Sequence, residues 1–234
     1  MLLRNKAFQR LSGGRLERVG TGFVSFVQGW FLSTHKSPDV LKIIKQNRRE
    51  LRGTGPIAIE AFVIHSIARA QTKVPGDFAE VGVFTGGSAR MMCEVKGEKH
   101  LRLFDTFAGL PQGTEIDGEG MRPGMYACSR EAVEGHLKRW PNISYYQGIF
   151  PDSIQGNEEV ANARFAFAHF DVDLYEGTLG CLEFFYPRMN PGGVILTHDY
   201  SVLAGVKKAF DEFFEDKPEG VIELPTTQCM VVKQ

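Results

Sequence analysis

The chain has 234 residues, a formal net charge of −1, 43% hydrophobic and 24% charged residues. These values exclude a disordered or fibrous polymer and fit one globular unit, alone or with an appendage, with a sizeable core. Four cysteines lie far apart with no CxxC pair, which excludes a zinc ribbon or disulfide scaffold and fits a reducing compartment.

The charge is unevenly spread. Residues 1–52 hold 11 Lys/Arg against 3 Asp/Glu. A basic arm beside an acidic body suits nucleic acid or an anionic membrane surface. Here, however, the basic residues alternate with Phe23, Phe26, Trp30 and Phe31, side chains that favour burial. Packing on the chain's own body or on a partner subunit is therefore expected, giving a homo-oligomer through the arm and neither a nucleic-acid nor a membrane partner. The segment Gly22–Leu32 is too short and polar to cross a bilayer. No small-residue cleavage site follows it, so a cytoplasmic location is expected.

In chain order, residues 1–20 predict a helix broken at Gly13-Gly14, and residues 22–49 one or two helices around Ser37-Pro38. Arg52–Pro56 (RGTGP) is a turn cluster and sets the expected division, an arm at 1–55 and a domain at 56–234. Ile57–Gln71 has helical spacing, and its His65 is read as structural. Strands and helices then alternate: strand Phe78–Val83, a helix from Ser88, strand His100–Asp105, helix Arg130–Arg139, and strand Ile143–Tyr146. They continue with strand Phe165–Val172, helix Thr178–Arg188, strand Val194–Thr197 after Asn190-Pro-Gly-Gly, and helix Ala204–Phe214. Val221–Leu224 and Cys229–Val232, too tightly joined for a parallel crossover, must pair antiparallel. The expected fold is α/β: a mostly parallel, Rossmann-like seven-stranded sheet with a C-terminal antiparallel hairpin, the class I methyltransferase arrangement, with helices on both faces and extra N-terminal helices.

Two stretches carry chemistry. In FAEVGVFTGGSAR a strand ends near Glu80, and Gly82, Gly86 and Gly87 lead into a helix, so that backbone N–H groups face a ligand. Phe84 takes the place of the second glycine in the dinucleotide fingerprint, which argues against an NAD-dependent oxidoreductase. Asp105 ends the next strand, where an acid hydrogen-bonds ribose hydroxyls. A cationic nucleoside without pyrophosphate, S-adenosylmethionine, fits these carboxylates; the bland reading has Asp105 capping its own turn and Glu80 in an ion pair. In FDVDLY, Asp171 and Asp173 share one face if strand geometry persists to Asp173. With His198 and Asp199 from the adjacent strand they suit a hard cation. Read singly, Asp173 is equally a helix cap and Asp199 a turn former.

Residues from about Gly76 to Phe214 resemble the macrocin O-methyltransferase family, through PGDFAEVGVFTGGSAR, LFDTFAGLP, YYQGIFPDSI, FDVDLYEGTLGCLEFFYPRMNPGGVI and HDYS. These enzymes use S-adenosylmethionine and magnesium to methylate sugar hydroxyls of macrolide and aminocoumarin antibiotics. The resemblance implies cofactor contacts from Glu80, Gly82, Gly86, Gly87, Ser88, Asp105, Phe107 and Asp171, with Gln147 and Gly148 near the adenine. It implies Asp171, His198 and Asp199 as metal ligands, and Asp173 as the general base in a catalytic pair with Asp171. It also implies that the N-terminal arm serves as a lid or oligomer contact. Where the family has two adjacent acids, this chain has His198-Asp199. Either His198 turns away and water replaces it, or another metal than Mg²⁺ binds, or the site is metal-free. His169 is a second candidate base, expected to be buried. The loop Gln112–Cys128 reads either as a lid that covers the acceptor or as a disordered surface loop. Phenol or catechol acceptors, and a non-catalytic module on the same fold, are the rival readings.

Overall fold

The computed structural model describes residues 15–118 and 120–234, with side chains from residue 19 onward. Three helices, α1 (Arg15–Ser33), α2 (Pro38–Glu50) and α3 (Ala58–Gln71), precede the alternating segment. That segment runs β1 (Asp77–Val81), α4 (Gly87–Cys93), β2 (Leu101–Asp105), α5 (Arg130–Leu137), β3 (Ile143–Gln147), α6 (Glu158–Ala161) and β4 (Phe165–Phe170). It continues with α7 (Tyr175–Phe185), β5 (Met189–Thr197), α8 (Ala204–Phe214), β6 (Ile222–Glu223) and β7 (Cys229–Val232).

The strands form one sheet in the order β3-β2-β1-β4-β5-β7-β6. The first five are parallel, and β7 runs antiparallel to both β5 and β6. The apolar strand β4 (FAFAHF) is buried along its whole length, as a central parallel strand covered on both faces must be. Successive residues serve opposite faces: Phe78 and Phe167 join Leu41, Ile44 and Ile64 under α2 and α3, whereas Ala79, Phe104 and Phe170 join Phe150 and Phe185 under α7. The strand order reverses between β1 and β4, and this places the functional edge at their C-terminal ends.

Element boundaries differ from expectation where tertiary partners intervene. β4 stops at Phe170, so the two acids lie beyond the strand, and Asp173 is left-handed (φ 61°). Helix α7 starts at Tyr175 and ends at Phe185, followed by one 3₁₀ turn, Tyr186–Arg188. β5 extends back to Met189 because the glycines of its expected turn pair with Lys233, just past β7: Gly192 N–H donates to Lys233 O (2.7 Å) and Lys233 N–H to Gly193 O (2.8 Å). The turn Asp152–Ile154 and helix α6, capped by Asn157, are additions that the sequence reading lacks.

The expected break at Gly13-Gly14 lies outside the described residues. Around Arg52–Pro56, Arg52, Gly53 and Gly55 have positive φ, and Arg48 ties the turn through Gly53 O and Pro56 O. Helix α1 packs on the chain's own body along one side only. It turns Ser25 and Leu32 inward, while Phe23, Phe26 and Trp30 are 70%, 74% and 68% exposed. Among the described residues no helix is long and apolar enough to cross a membrane.

Candidate active site

The glycine turn closes onto β4. Gly82 has φ 83°, and a Cβ there would stand 1.9 Å from Asp171 O, so a glycine is required for β1 and β4 to meet at this edge. Gly86 (φ 81°) begins α4 against Val133 and His136, and Gly87 lies against Leu51, Gly55 and Pro56. These two glycines therefore serve close packing. Asn47 of α2, 2% exposed, donates from Nδ2 to Gly87 O (2.8 Å) and fixes the turn from below. Ser88 is buried in the first turn of α4.

Asp105, at the end of β2, organises the loops on both sides. Its Oδ2 accepts the N–H groups of Val83 (2.6 Å) and Phe84 (2.9 Å), and its Oδ1 accepts that of Phe107 (2.7 Å). The capping role considered for it is thus present, and it extends to the glycine turn. Phe107 is buried with φ 54°. Gln147 ends β3 exposed, and Gly148 N–H donates to Asp105 O (2.9 Å).

Glu80 is turned into the sheet rather than toward the edge. It is 0% exposed, with Oε1 2.9 Å from Nδ1 of the equally buried His169. Burial pushes its carboxyl up to about 8, against the opposing Ser88 hydroxyl, and burial pushes His169 down to about 4. His169 is buried as expected; its pairing with Glu80 is new. Both faces of β1 and β4 are covered, which buries each residue, and the register sets Glu80 directly beside His169 on one face, which pairs them.

The second constellation forms as a cluster. One ligating atom from each of Asp171, His198 and Asp199 lies within 4.8 Å of the others. His198 Nδ1 stands 2.9 Å from Asp199 Oδ2 and 3.5 Å from Asp171 Oδ1, and its Nε2 stands 3.2 Å from Glu60 Oε2. Neither ring nitrogen is aligned for a hydrogen bond, so these contacts are ion pairs. Burial lowers the affinity of His198 for its proton, but the carboxylates of Asp199, Asp171 and Glu60 outweigh it and raise its pKa well above the ordinary value. Burial, then the nearby Asp199, raises Asp171 to about 6. Burial, then Asp171 and Asp199, raises Asp173 strongly, and a hydrogen bond links Asp173 to Asp199. Asp199 itself is lowered: the charge of His198 beside it and a hydrogen bond from Asp173 overcome burial. The side chains of Asp171 and Asp199 remain 34% and 23% exposed, so a ligand can reach them.

Glu60 is the member that the sequence reading missed. Helical spacing placed it on α3, but its direction depends on how α3 crosses the sheet. Its Oε2 also accepts Ile57 N–H (3.1 Å) and its Oε1 the Thr227 hydroxyl (2.9 Å).

A parallel five-strand core with an inserted antiparallel strand, a glycine turn after β1 and acids after β2, β4 and β5 together define a class I methyltransferase fold. Solved structures agree: the O-methyltransferase NovP superposes with a TM-score of 0.66 at 23% identity over 76% of this chain and 80% of NovP. CalS11, a calicheamicin methyltransferase, gives 0.66 at 19% over 85% of this chain and 94% of its own. Within that fold, residues 62–226 match the sequence profile of the macrocin-O-methyltransferase (TylF) family, and the chain belongs to this family.

Among curated relatives, the 8-demethyl-8-(2,3-dimethoxy-alpha-L-rhamnosyl)-tetracenomycin-C 4'-O-methyltransferase of Streptomyces olivaceus is 33% identical over 56% of this chain and 55% of that one. The demethyldecarbamoylnovobiocin O-methyltransferase of Streptomyces niveus is 28% identical over 60% of this chain and 58% of its own. The chain thus spans a little over half the length of these relatives.

Proposed function

We propose that this protein transfers the methyl group of S-adenosylmethionine to a hydroxyl of a small natural product, a sugar hydroxyl in the first instance. The observation that carries the reading is the convergence of Asp171, Asp173, His198 and Asp199 at the ends of β4 and β5, beside the glycine turn and Asp105. Sugar is preferred over phenol or catechol because the tetracenomycin relative bears a rhamnosyl group in its name and acts at a 4′ position.

The site fits the cofactor in its chemistry: a carboxylate-rich, half-buried edge, with Asp105 and Asp171 at the ends of β2 and β4, would attract a sulfonium cation. The glycines act by letting β1 and β4 close up, and Glu80 acts from within the sheet through its pair with His169. The sulfonium is already a strong electrophile, so the protein's tasks are orientation and proton removal. Asp173, with its raised pKa, is the group that takes the hydroxyl proton. Once Asp173 carries that proton, Asp199, held ionised by His198, accepts its hydrogen bond.

The donor set does not fit magnesium well, because two carboxylates and an imidazole replace an all-oxygen set. Such a set matches a divalent transition ion better. Bound there, a divalent ion would orient the hydroxyl and lower its pKa. The exposed apolar face of α1 supports self-association through the arm. The test is a thermal-shift titration with S-adenosylhomocysteine, run with Mg²⁺, with Mn²⁺ and with EDTA, followed by a panel of deoxysugar and phenolic acceptors. Saturable stabilisation and a methylated sugar are expected; stabilisation absent under every condition would refute the reading.

A further inference from the structure

The loop expected to act as a lid is held at its base, against the glycine turn and, at its far end, by the Asp117 side chain. From the end of β2 it crosses toward the start of α7. Near its base, Leu110 N–H donates to Met125 O (2.8 Å) and Gly124 N–H to Leu110 O (2.9 Å). Beyond them, Tyr126 packs edge-on against Phe84 of the glycine turn, with ring centroids 5.6 Å apart. At the far end, Asp117 Oδ1 accepts the N–H of Tyr175, the first residue of α7 (2.7 Å). Its Oδ2 accepts the Thr114 N–H (2.8 Å) and hydroxyl (2.9 Å), which sets the carboxylate in place.

Helices α7 and α8 both begin without a cap of their own, since Leu174 and Leu203 hold the N-cap positions. The Asp117 carboxylate sits where both helices start. A Cβ on Gly205, the second residue of α8, would stand 2.1 Å from Asp117 Oδ1 and 3.0 Å from Tyr175 N. Gly205 thus leaves the space that the carboxylate fills. An anion at two helix N-termini is favourable there. The two helices follow the two acid-bearing turns: α7 starts two residues after Asp173, and α8 five residues after Asp199.

We infer that Asp117 is a positioning residue, a latch from the lid that braces the turns carrying Asp171–Asp173 and His198–Asp199 whenever the lid is seated. This rests on the functional reading above only for its consequence in turnover. The bracing itself is a property of the free protein, so the two fail separately.

The experiment is hydrogen–deuterium exchange on the full chain for wild type, Asp117→Ala, Asp117→Asn and Gly205→Ala, without ligand and with S-adenosylhomocysteine. Asp117→Ala is expected to speed exchange at Tyr175 about 2- to 30-fold, the range of a lost helix cap, and to speed residues 171–174 and 198–203 with it. Asn keeps an acceptor for Tyr175 and is expected to restore most of the protection. Gly205→Ala leaves the lid sequence untouched, favours the helix, and is expected to reproduce the Asp117→Ala pattern by displacing the carboxylate. With an acceptor in hand, Asp117→Ala lowers kcat while KM for S-adenosylmethionine stays. Faster exchange confined to the lid, or Asn no better than Ala, would overturn the latch. Should Asp117→Ala loosen the core strands as well, the Asn and Gly205→Ala variants decide. Absence of any protection of wild type by S-adenosylhomocysteine would count against the methyltransferase reading and leave the latch standing.

Discussion

The buried Glu80–His169 pair makes stability depend on pH in a direction opposite to that of an ordinary surface carboxylate. In the folded chain Glu80 titrates at about 8 and His169 at about 4, against ordinary values of 4.5 and 6.5. Between pH 4 and pH 8 the folded pair therefore holds one proton, whichever of the two facing atoms carries it. The unfolded pair holds two below pH 4.5, one from 4.5 to 6.5, and none above. Stability changes with pH as the difference in bound protons, about 1.4 kcal/mol per pH unit for one proton. From pH 6.5 to 8 the folded state holds the extra proton, so stability falls as pH rises, by about 2 kcal/mol in total. Glu80→Gln removes that proton from the count and flattens the window, because His169 stays neutral there in both states. The assay is urea unfolding followed by circular dichroism at pH 6.5, 7.0, 7.5 and 8.0 for both chains. Wild type is expected to lose roughly 0.7–1 M in midpoint relative to the variant across the series. Parallel pH profiles for the two chains would refute the argument.

Three further outcomes follow from the edge geometry. Gly82→Ala combines a left-handed backbone with a Cβ 1.9 Å from Asp171 O and should cost about 2–5 kcal/mol. Gly86→Ala, left-handed but facing the Val133 side chain at 3.3 Å, should cost about 1–2 kcal/mol, and equal urea midpoints for the two variants would contradict the assignment. Asp105→Ala leaves the N–H groups of Val83, Phe84 and Phe107 without their acceptor and should destabilise by about 1–3 kcal/mol while abolishing the thermal shift with S-adenosylhomocysteine. A preserved shift would take Asp105 out of the cofactor site. Asp173→Asn should lower turnover about 10²- to 10⁴-fold with that shift intact, and unchanged turnover would remove it as the base.

The sequence by itself determined the fold. Alternating apolar strands and amphipathic helices, together with a last pair too close for a crossover, leave one sheet with a C-terminal antiparallel hairpin. The family's runs at FDVDLY and HDYS likewise put Asp171, Asp173, His198 and Asp199 at adjacent strand ends. What chain-local signals could not decide was direction and partnership. Whether Glu80 faces a ligand or the interior depends on the pleat of β1 against β4, and the structure gives it to His169. Asp173 leaves the strand because Gly82 and Asp171 O meet where β1 and β4 converge, a contact between residues 89 apart in the chain. Glu60 and Asp117 looked like ordinary acids on a helix and in a loop. Only the crossing of α3 under β5, and the shared origin of α7 and α8, brought one against His198 and the other onto two helix starts. Spacing along a chain reports which groups share a face, while long-range packing selects which of them meet.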